Sequence, residues 1–138
     1  AHDAVLAREA GWRVTGLARA QDEEFVRGLG AEFVVTPQPG WDAVADCAVL
    51  QEGGLALVGD RGTLVGMRPG MAPPAERGVR VETVSVDHDT QRLRALLLRA
   101  AAGELPVRVQ GTLPLDRAAE VHRIVAKGGV RGRYVLRP

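Results

Sequence analysis

The stretch AHDAVLAREAGWRVTGLAR (residues 1–19) decides the fold. Its first half places apolar residues at the spacing of a short helix over Asp3–Ala10, and Gly11 is a residue type that commonly ends helices. Its second half, Trp12–Ala18, alternates as a strand does, and Arg19 follows directly. Helix, turn and strand are the second half of a repeating unit. An earlier strand is therefore expected to lead into the first helix.

The rest of the chain continues the alternation of strands and helices. The predicted elements are a helix after Asp22, strands over residues 31–35, 41–49, 63–67 and 79–86, a turn over residues 59–62, a helix over residues 89–102 begun by Asp89 or Asp87, and a last helix capped by Asp116 before a terminal strand. This order predicts an α/β fold, a parallel sheet with helices on both faces. We divide it into residues 1–108 and a tail, residues 109–138, that is expected to return to a further domain.

Composition narrows the class of protein. The chain has 138 residues, 46% of them hydrophobic, and a formal net charge of +1, so no strong basic field points to nucleic acid. No apolar run is long enough to span a bilayer. The single cysteine, Cys47, leaves no internal disulfide and favours a reducing, cytoplasmic location. The three histidines are scattered and predict no metal site.

The carboxyl ends of the strands are the places to look for a ligand, because open parallel sheets bind ligands there. The first predicted strand ends at Arg19, and no acid follows until Asp22. In a dinucleotide site an acid at this position binds the ribose 2′-hydroxyl, whereas an arginine pairs with a 2′-phosphate. Arg19 therefore favours NADP(H) over NAD(H). The alternative is an ordinary solvated surface arginine.

Two other strand ends would line the same cleft. The candidate cofactor-binding residues there are Asp46, Cys47 and Ala48, and Val65, Gly66 and Met67. Gly66 would let a flat ring approach the backbone, or it would simply serve a turn. Asp46 is alternatively a buried, hydrogen-bonded carboxylate, and Cys47 is expected to be a small buried side chain rather than a nucleophile. No catalytic residue can be assigned.

The order of these segments resembles a known family. The pieces that carry the resemblance are LAREAGWRVTGLAR (6–19), EEFVRGLGAEFVV (23–35), WDAVADC (41–47), GTLVGM (62–67), RGVRVETVSV (77–86) and LPLDRAAEVHRIVAKGGVRGRYVL (113–136). Together they resemble the C-terminal, nucleotide-binding half of medium-chain dehydrogenase/reductases, and most of all the zinc-free branch that is similar to quinone oxidoreductases. The resemblance covers nearly the whole chain.

The resemblance implies a Rossmann-type domain that lacks its first strand and glycine loop, with Ala1 near the last position of that loop. It implies that Arg19 holds the adenosine 2′-phosphate, that the Asp46–Ala48 segment borders the cofactor, and that Val65–Met67 lies by the nicotinamide. It also implies a homodimer through Val79–Val86. The parent protein would be an NADPH-dependent oxidoreductase, and this chain alone is expected to be inactive. The alternative is a non-catalytic nucleotide-binding or dimerisation domain.

Overall fold

The computed structural model describes residues 2–138. Within that range the helices are α1 (His2–Glu9), α2 (Glu23–Gly28), α3 (Glu52–Leu57), α4 (Thr90–Ala101) and α5 (Ala118–Ala126). The strands are β1 (Thr15–Leu17), β2 (Glu32–Val34), β3 (Trp41–Asp46), β4 (Val58–Gly66), β5 (Arg80–Thr83), β6 (Val109–Pro114) and β7 (Arg133–Arg137). Single 3₁₀ turns over Ala20–Asp22 and Leu115–Arg117 lead into α2 and α5.

All of the strand pairs are parallel, as the sequence predicts, but they form three sheets rather than one. β1 pairs with β2, the second sheet has the order β3-β4-β5, and β6 pairs with β7. β1 and β3 each pair on one side only within the described range. Each of these two strands therefore has one edge with unpaired backbone groups.

Helix α1 relates the first two sheets to each other. The Sγ atom of Cys47, just after β3, lies 3.7 Å from Oδ2 of Asp3 in the first turn of α1. α1 then leads through the turn at Gly11, where φ is +89°, back into β1. α1 thus connects the carboxyl end of β3 with the amino end of β1.

The core lies between α3 and the β3-β4-β5 sheet. Its buried members are Leu55, Val58, Leu64 and Val79, and Val44 and Val81 pack against them. Elsewhere many large apolar side chains stay exposed, including Leu97 and Leu98 on α4, a helix that buries none of its residues. The stability of the chain therefore depends on a small cluster.

Several predicted strands are shorter in the structure. The strand predicted over Val79–Val86 is β5, Arg80–Thr83, and its last ladder bond runs from the Val84 amide to the Gly66 carbonyl at 2.9 Å. β4 ends at Gly66, so the residues beyond Val84 have no ladder partner, and Val86 is 91% exposed. β1 is likewise limited by its three-residue partner, β2.

The turn predicted over Gly59–Gly62 is a bulge inside β4. Trp41 pairs with Val58, but the next pair joins Ala43 to Thr63, so the extra residues of β4 loop out. A Cβ atom at Gly62 would lie 2.6 Å from Cγ1 of Val58. Glycine is therefore needed for this close approach.

The two predicted helix caps have opposite outcomes. Asp89 caps α4, since its side chain accepts a hydrogen bond from the Arg92 amide at 2.8 Å. The cap predicted at Asp116 is wrong. Asp116 lies inside the 3₁₀ turn that precedes α5, so the N-cap position falls on Arg117, which makes no side-chain cap bond.

Candidate nucleotide-binding site

Arg19 is the exposed residue that follows the carboxyl end of β1. Its backbone is extended, and its carbonyl accepts a hydrogen bond from the Asp22 amide at 2.8 Å, which closes the 3₁₀ turn before α2. This turn fixes the spacing between the Arg19 cation and the first acid after the strand.

Two arginines, one just before β6 and one just before β7, hold that acid. Oδ1 of Asp22 accepts hydrogen bonds from Nη1 of Arg108 at 2.8 Å and from Nε of Arg131 at 2.9 Å. Arg131 also donates to the Gln21 carbonyl, and the Arg108 guanidinium lies 4.3 Å from the centre of the Phe25 ring. The Asp22 side chain is only 16% exposed. The hydrogen bond from Arg108, with a further contribution from Arg131, holds the pKa of Asp22 below its ordinary value.

A glycine brings the two arginines together. Gly132 has φ +139°, and a Cβ atom there would lie 2.6 Å from the Arg108 carbonyl oxygen. The Arg133 amide donates to that same carbonyl at 2.8 Å. The sequence carries no signal for this cluster, because Asp22 and its partners are separated by 86 and 109 positions and no local pattern links them.

Asp46 builds the loop after β3 rather than facing open space. It is 6% exposed; its Oδ1 accepts from the amides of Ala48 and Leu50 at 3.2 and 2.9 Å, and its Oδ2 accepts from the Gln51 amide at 2.9 Å. These bonds hold a loop in which Val49 and Gln51 have positive φ. Asp46 is therefore a buried, hydrogen-bonded carboxylate, which is the alternative that the sequence left open for it.

The expectation that Cys47 is buried is wrong, because both Cys47 and Ala48 are exposed after β3. The open edge of β3 explains the exposure. Partial desolvation by the surrounding chain, together with the carboxylate of Asp3, raises the pKa of the Cys47 thiol. A raised pKa lowers the thiolate fraction at neutral pH, so the structure gives this thiol no activation as a nucleophile.

The third predicted segment lies beside the Asp46 loop. Asp46 and Gly66 are register partners in the β3-β4 ladder, and Val65, Gly66 and Met67 are half-buried. A narrow cleft here is lined by Asp46, Val49, Gly66, Met67, Arg68 and Met71. The structure thus brings two of the predicted segments together, while Arg19 follows β1 in a separate sheet.

Residues 2–138 contain no group of three or more His, Cys, Asp or Glu side chains able to hold a metal ion. Over the same residues, no helix combines the length and the apolar character needed to cross a membrane.

Parallel strands joined by helices, with the candidate residues at their carboxyl ends, define a Rossmann-type nucleotide-binding fold. A family model described as zinc-binding dehydrogenase matches residues 21–136. The chain belongs to this family, the medium-chain dehydrogenases, as the resemblance implied.

Solved structures share this fold. An NAD-dependent alcohol dehydrogenase is 25% identical with a TM-score of 0.74, and the match covers 98% of this chain and 46% of the other. The mycobacterial Rv1454c in complex with NADPH is 22% identical (TM-score 0.71; 98% and 52% covered), and a Pseudomonas syringae pv. Tomato quinone oxidoreductase is 18% identical (TM-score 0.69; 99% and 52%). The chain thus spans about half the length of these proteins. No curated protein shows a significant match.

Proposed function

We propose that the chain is the NADP(H)-binding part of a zinc-independent oxidoreductase acting on a quinone, an enone or another activated carbonyl. The observation that carries the cofactor assignment is the charge pattern after β1, where Arg19 is exposed and Asp22 is held by two arginines. An exposed guanidinium at this strand end suits a 2′-phosphate, and an occupied carboxylate does not suit a ribose hydroxyl.

In this proposal each segment has its own part. Arg19 pairs with the adenosine 2′-phosphate, Cys47 and Ala48 border the middle of the cofactor, and Val65–Met67 lies along the nicotinamide. Asp46 keeps the loop after β3 in shape through its three amide bonds. The bound cofactor would supply hydride chemistry, and the chain would supply its orientation and charge.

Binding of two adenosine nucleotides tests the cofactor assignment. Calorimetric titration of the wild-type chain should give a dissociation constant for adenosine 2′,5′-bisphosphate at least about tenfold lower than that for 5′-AMP, since a charge-assisted pair adds to the binding. Equal dissociation constants would remove the preference for NADP(H).

Replacing Gly66 with alanine tests the place of the nicotinamide. A Cβ atom at Gly66 comes no closer than 3.8 Å to its nearest neighbour, the Glu82 carbonyl oxygen, so the fold accepts the methyl group. We expect unchanged thermal unfolding and unchanged binding of the bisphosphate, but weaker binding of NADP⁺, because the methyl group would meet the ring. If NADP⁺ binds equally well to both proteins, the ring lies elsewhere.

A homodimer through the β5 edge is part of the same proposal. β5 pairs only with β4 in the described range, so its other edge offers backbone groups to a second copy. An ion pair between Arg80 and Glu82, 3.1 Å apart, lies along this strand and opposes non-specific pairing of its edge with other strands. A two-fold contact would pair the strand antiparallel with itself.

A pair of proline variants tests the dimer. The Val84 amide points to β4, where it bonds the Gly66 carbonyl, so the Thr83 amide points to the outer edge. Sedimentation should show a dimer for the wild-type chain and a folded monomer for Thr83→Pro. Val84→Pro is the control, since it removes a bond inside the sheet and should lower stability instead. A wild-type monomer at high micromolar concentration would contradict the proposal.

The whole protein would be a cytoplasmic enzyme, and the rival is a non-catalytic nucleotide-binding or dimerisation domain. Both share the site and the β5 edge, so activity separates them. A longer protein that contains this chain should oxidise NADPH in the presence of a quinone or an enone. Cofactor binding without turnover of any such acceptor would favour the rival.

A further inference from the structure

Asp22 is the acid nearest in sequence to the carboxyl end of β1, and two arginines hold its carboxylate. It is the first acid after β1, one 3₁₀ turn beyond Arg19. An unpaired carboxylate this close to the strand end would accept a hydrogen bond from a ribose 2′-hydroxyl and would repel a 2′-phosphate. In this chain Oδ1 of Asp22 receives hydrogen bonds from both Arg108 and Arg131.

The two arginines make the net charge of this strand end positive. Arg19 and Asp22 alone would cancel, but Arg108 and Arg131 add two positive charges to the same turn. Their position is built into the backbone, because Gly132 lets the two segments approach each other and Arg131 also donates to the Gln21 carbonyl. The selectivity of this strand end is therefore not contained in β1 and its loop alone.

We propose that Arg108 and Arg131 determine cofactor selectivity indirectly, by neutralising Asp22, so that the strand end accepts adenosine carrying a 2′-phosphate. This inference rests on the proposed function. It makes the two arginines positioning residues that act through Asp22, and it assigns the direct phosphate contact to Arg19. The ligand class is an adenosine 2′-phosphate ester.

A mutant cycle separates action through Asp22 from direct contact with the phosphate. In the chain carrying Arg108→Gln and Arg131→Gln, the preference for adenosine 2′,5′-bisphosphate over 5′-AMP should fall about tenfold, because the bared Asp22 repels the phosphate. Adding Asp22→Asn should restore most of the preference. Arg133→Gln, which removes an exposed charge two positions beyond Arg131, is the control and should change little.

Two results would overturn the inference. The first is a preference that stays low after Asp22→Asn is added, since the arginines would then contact the phosphate themselves. The second is a preference that the arginine changes do not alter. If the double variant does not fold, Arg131→Gln alone supports the same comparison with a smaller expected change, because Arg108 still pairs with Asp22.

A titration without any nucleotide keeps this inference separate from the proposed function. Carbon-13 NMR of the Asp22 carboxyl group should give a pKa below the ordinary range in the wild-type chain, and a higher one in the double variant. An ordinary pKa in the wild-type chain would overturn the inference even if the bisphosphate binds well. Equal binding of the two nucleotides by the wild-type chain would instead overturn the proposed function, together with the selectivity that this inference explains.

Discussion

Replacing Arg19 with alanine is expected to weaken the binding of adenosine 2′,5′-bisphosphate by about tenfold to a hundredfold. Binding of 5′-AMP, which lacks the 2′-phosphate, should change by less than about threefold. The reason is that an arginine–phosphate pair is a charge-assisted contact and that Asp22, the nearest acid, is already engaged by other arginines. Calorimetric titration of both nucleotides gives the two ratios.

The matched control for this prediction is Arg13→Ala. Arg13 precedes β1 as Arg19 follows it, and its side chain is 91% exposed beside Glu32. The Arg13→Ala substitution removes the same charge from the amino end of β1. The affinities for adenosine 2′,5′-bisphosphate and for 5′-AMP should therefore stay nearly unchanged. An equal loss for both nucleotides in Arg19→Ala would exclude Arg19 from the phosphate site.

Replacing Leu64 with alanine is expected to lower the free energy of unfolding by about 2–5 kcal/mol. Leu64 is 1% exposed in the middle of β4, and it belongs to the cluster that holds α3 on the β3-β4-β5 sheet. Truncation removes its apolar contacts and leaves a cavity that the small core can fill only in part. The loss is a large share of the stability available to a domain of this size.

Urea unfolding measures this loss, provided that the slope of the unfolding free energy against urea concentration is the same in both proteins. Leu98→Ala is the control, because Leu98 is 63% exposed on α4 and should lose little. A smaller loss for Leu64→Ala than for Leu98→Ala would show that the stabilising contacts of the chain lie elsewhere, on the α4 face.

The sequence predicts the order of elements well because each one carries a local signal. Gly11 ends the first helix region, Asp89 caps α4, and the parallel pairing follows from strands separated by helices. Strand lengths are harder to predict, since a strand ends where its neighbour ends. Five of the eight residues in Val79–Val86 are β-branched, but β5 stops at Thr83 because β4 offers no further partner.

The residues of the candidate site likewise divide into those with a local sequence signal and those without one. Arg19 and Gly66 could be found from the sequence because strand ends are places of known chemistry. The amide bonds to Asp46, the exposure of Cys47 and the arginines on Asp22 depend on tertiary geometry. Asp22 and Arg131 are 109 positions apart, so no local sequence pattern links them.

The central claim is that NADP⁺ binds along the carboxyl ends of β1, β3 and β4, and backbone amide NMR of the chain titrated with NADP⁺ tests it most directly. We expect shifts in two groups of amides, one around Arg19–Asp22 and one covering Cys47–Ala48 and Val65–Met67. Adenosine 2′,5′-bisphosphate should move the first group only. Shifts confined to α5 and β7, or no shifts at millimolar NADP⁺, would contradict the account.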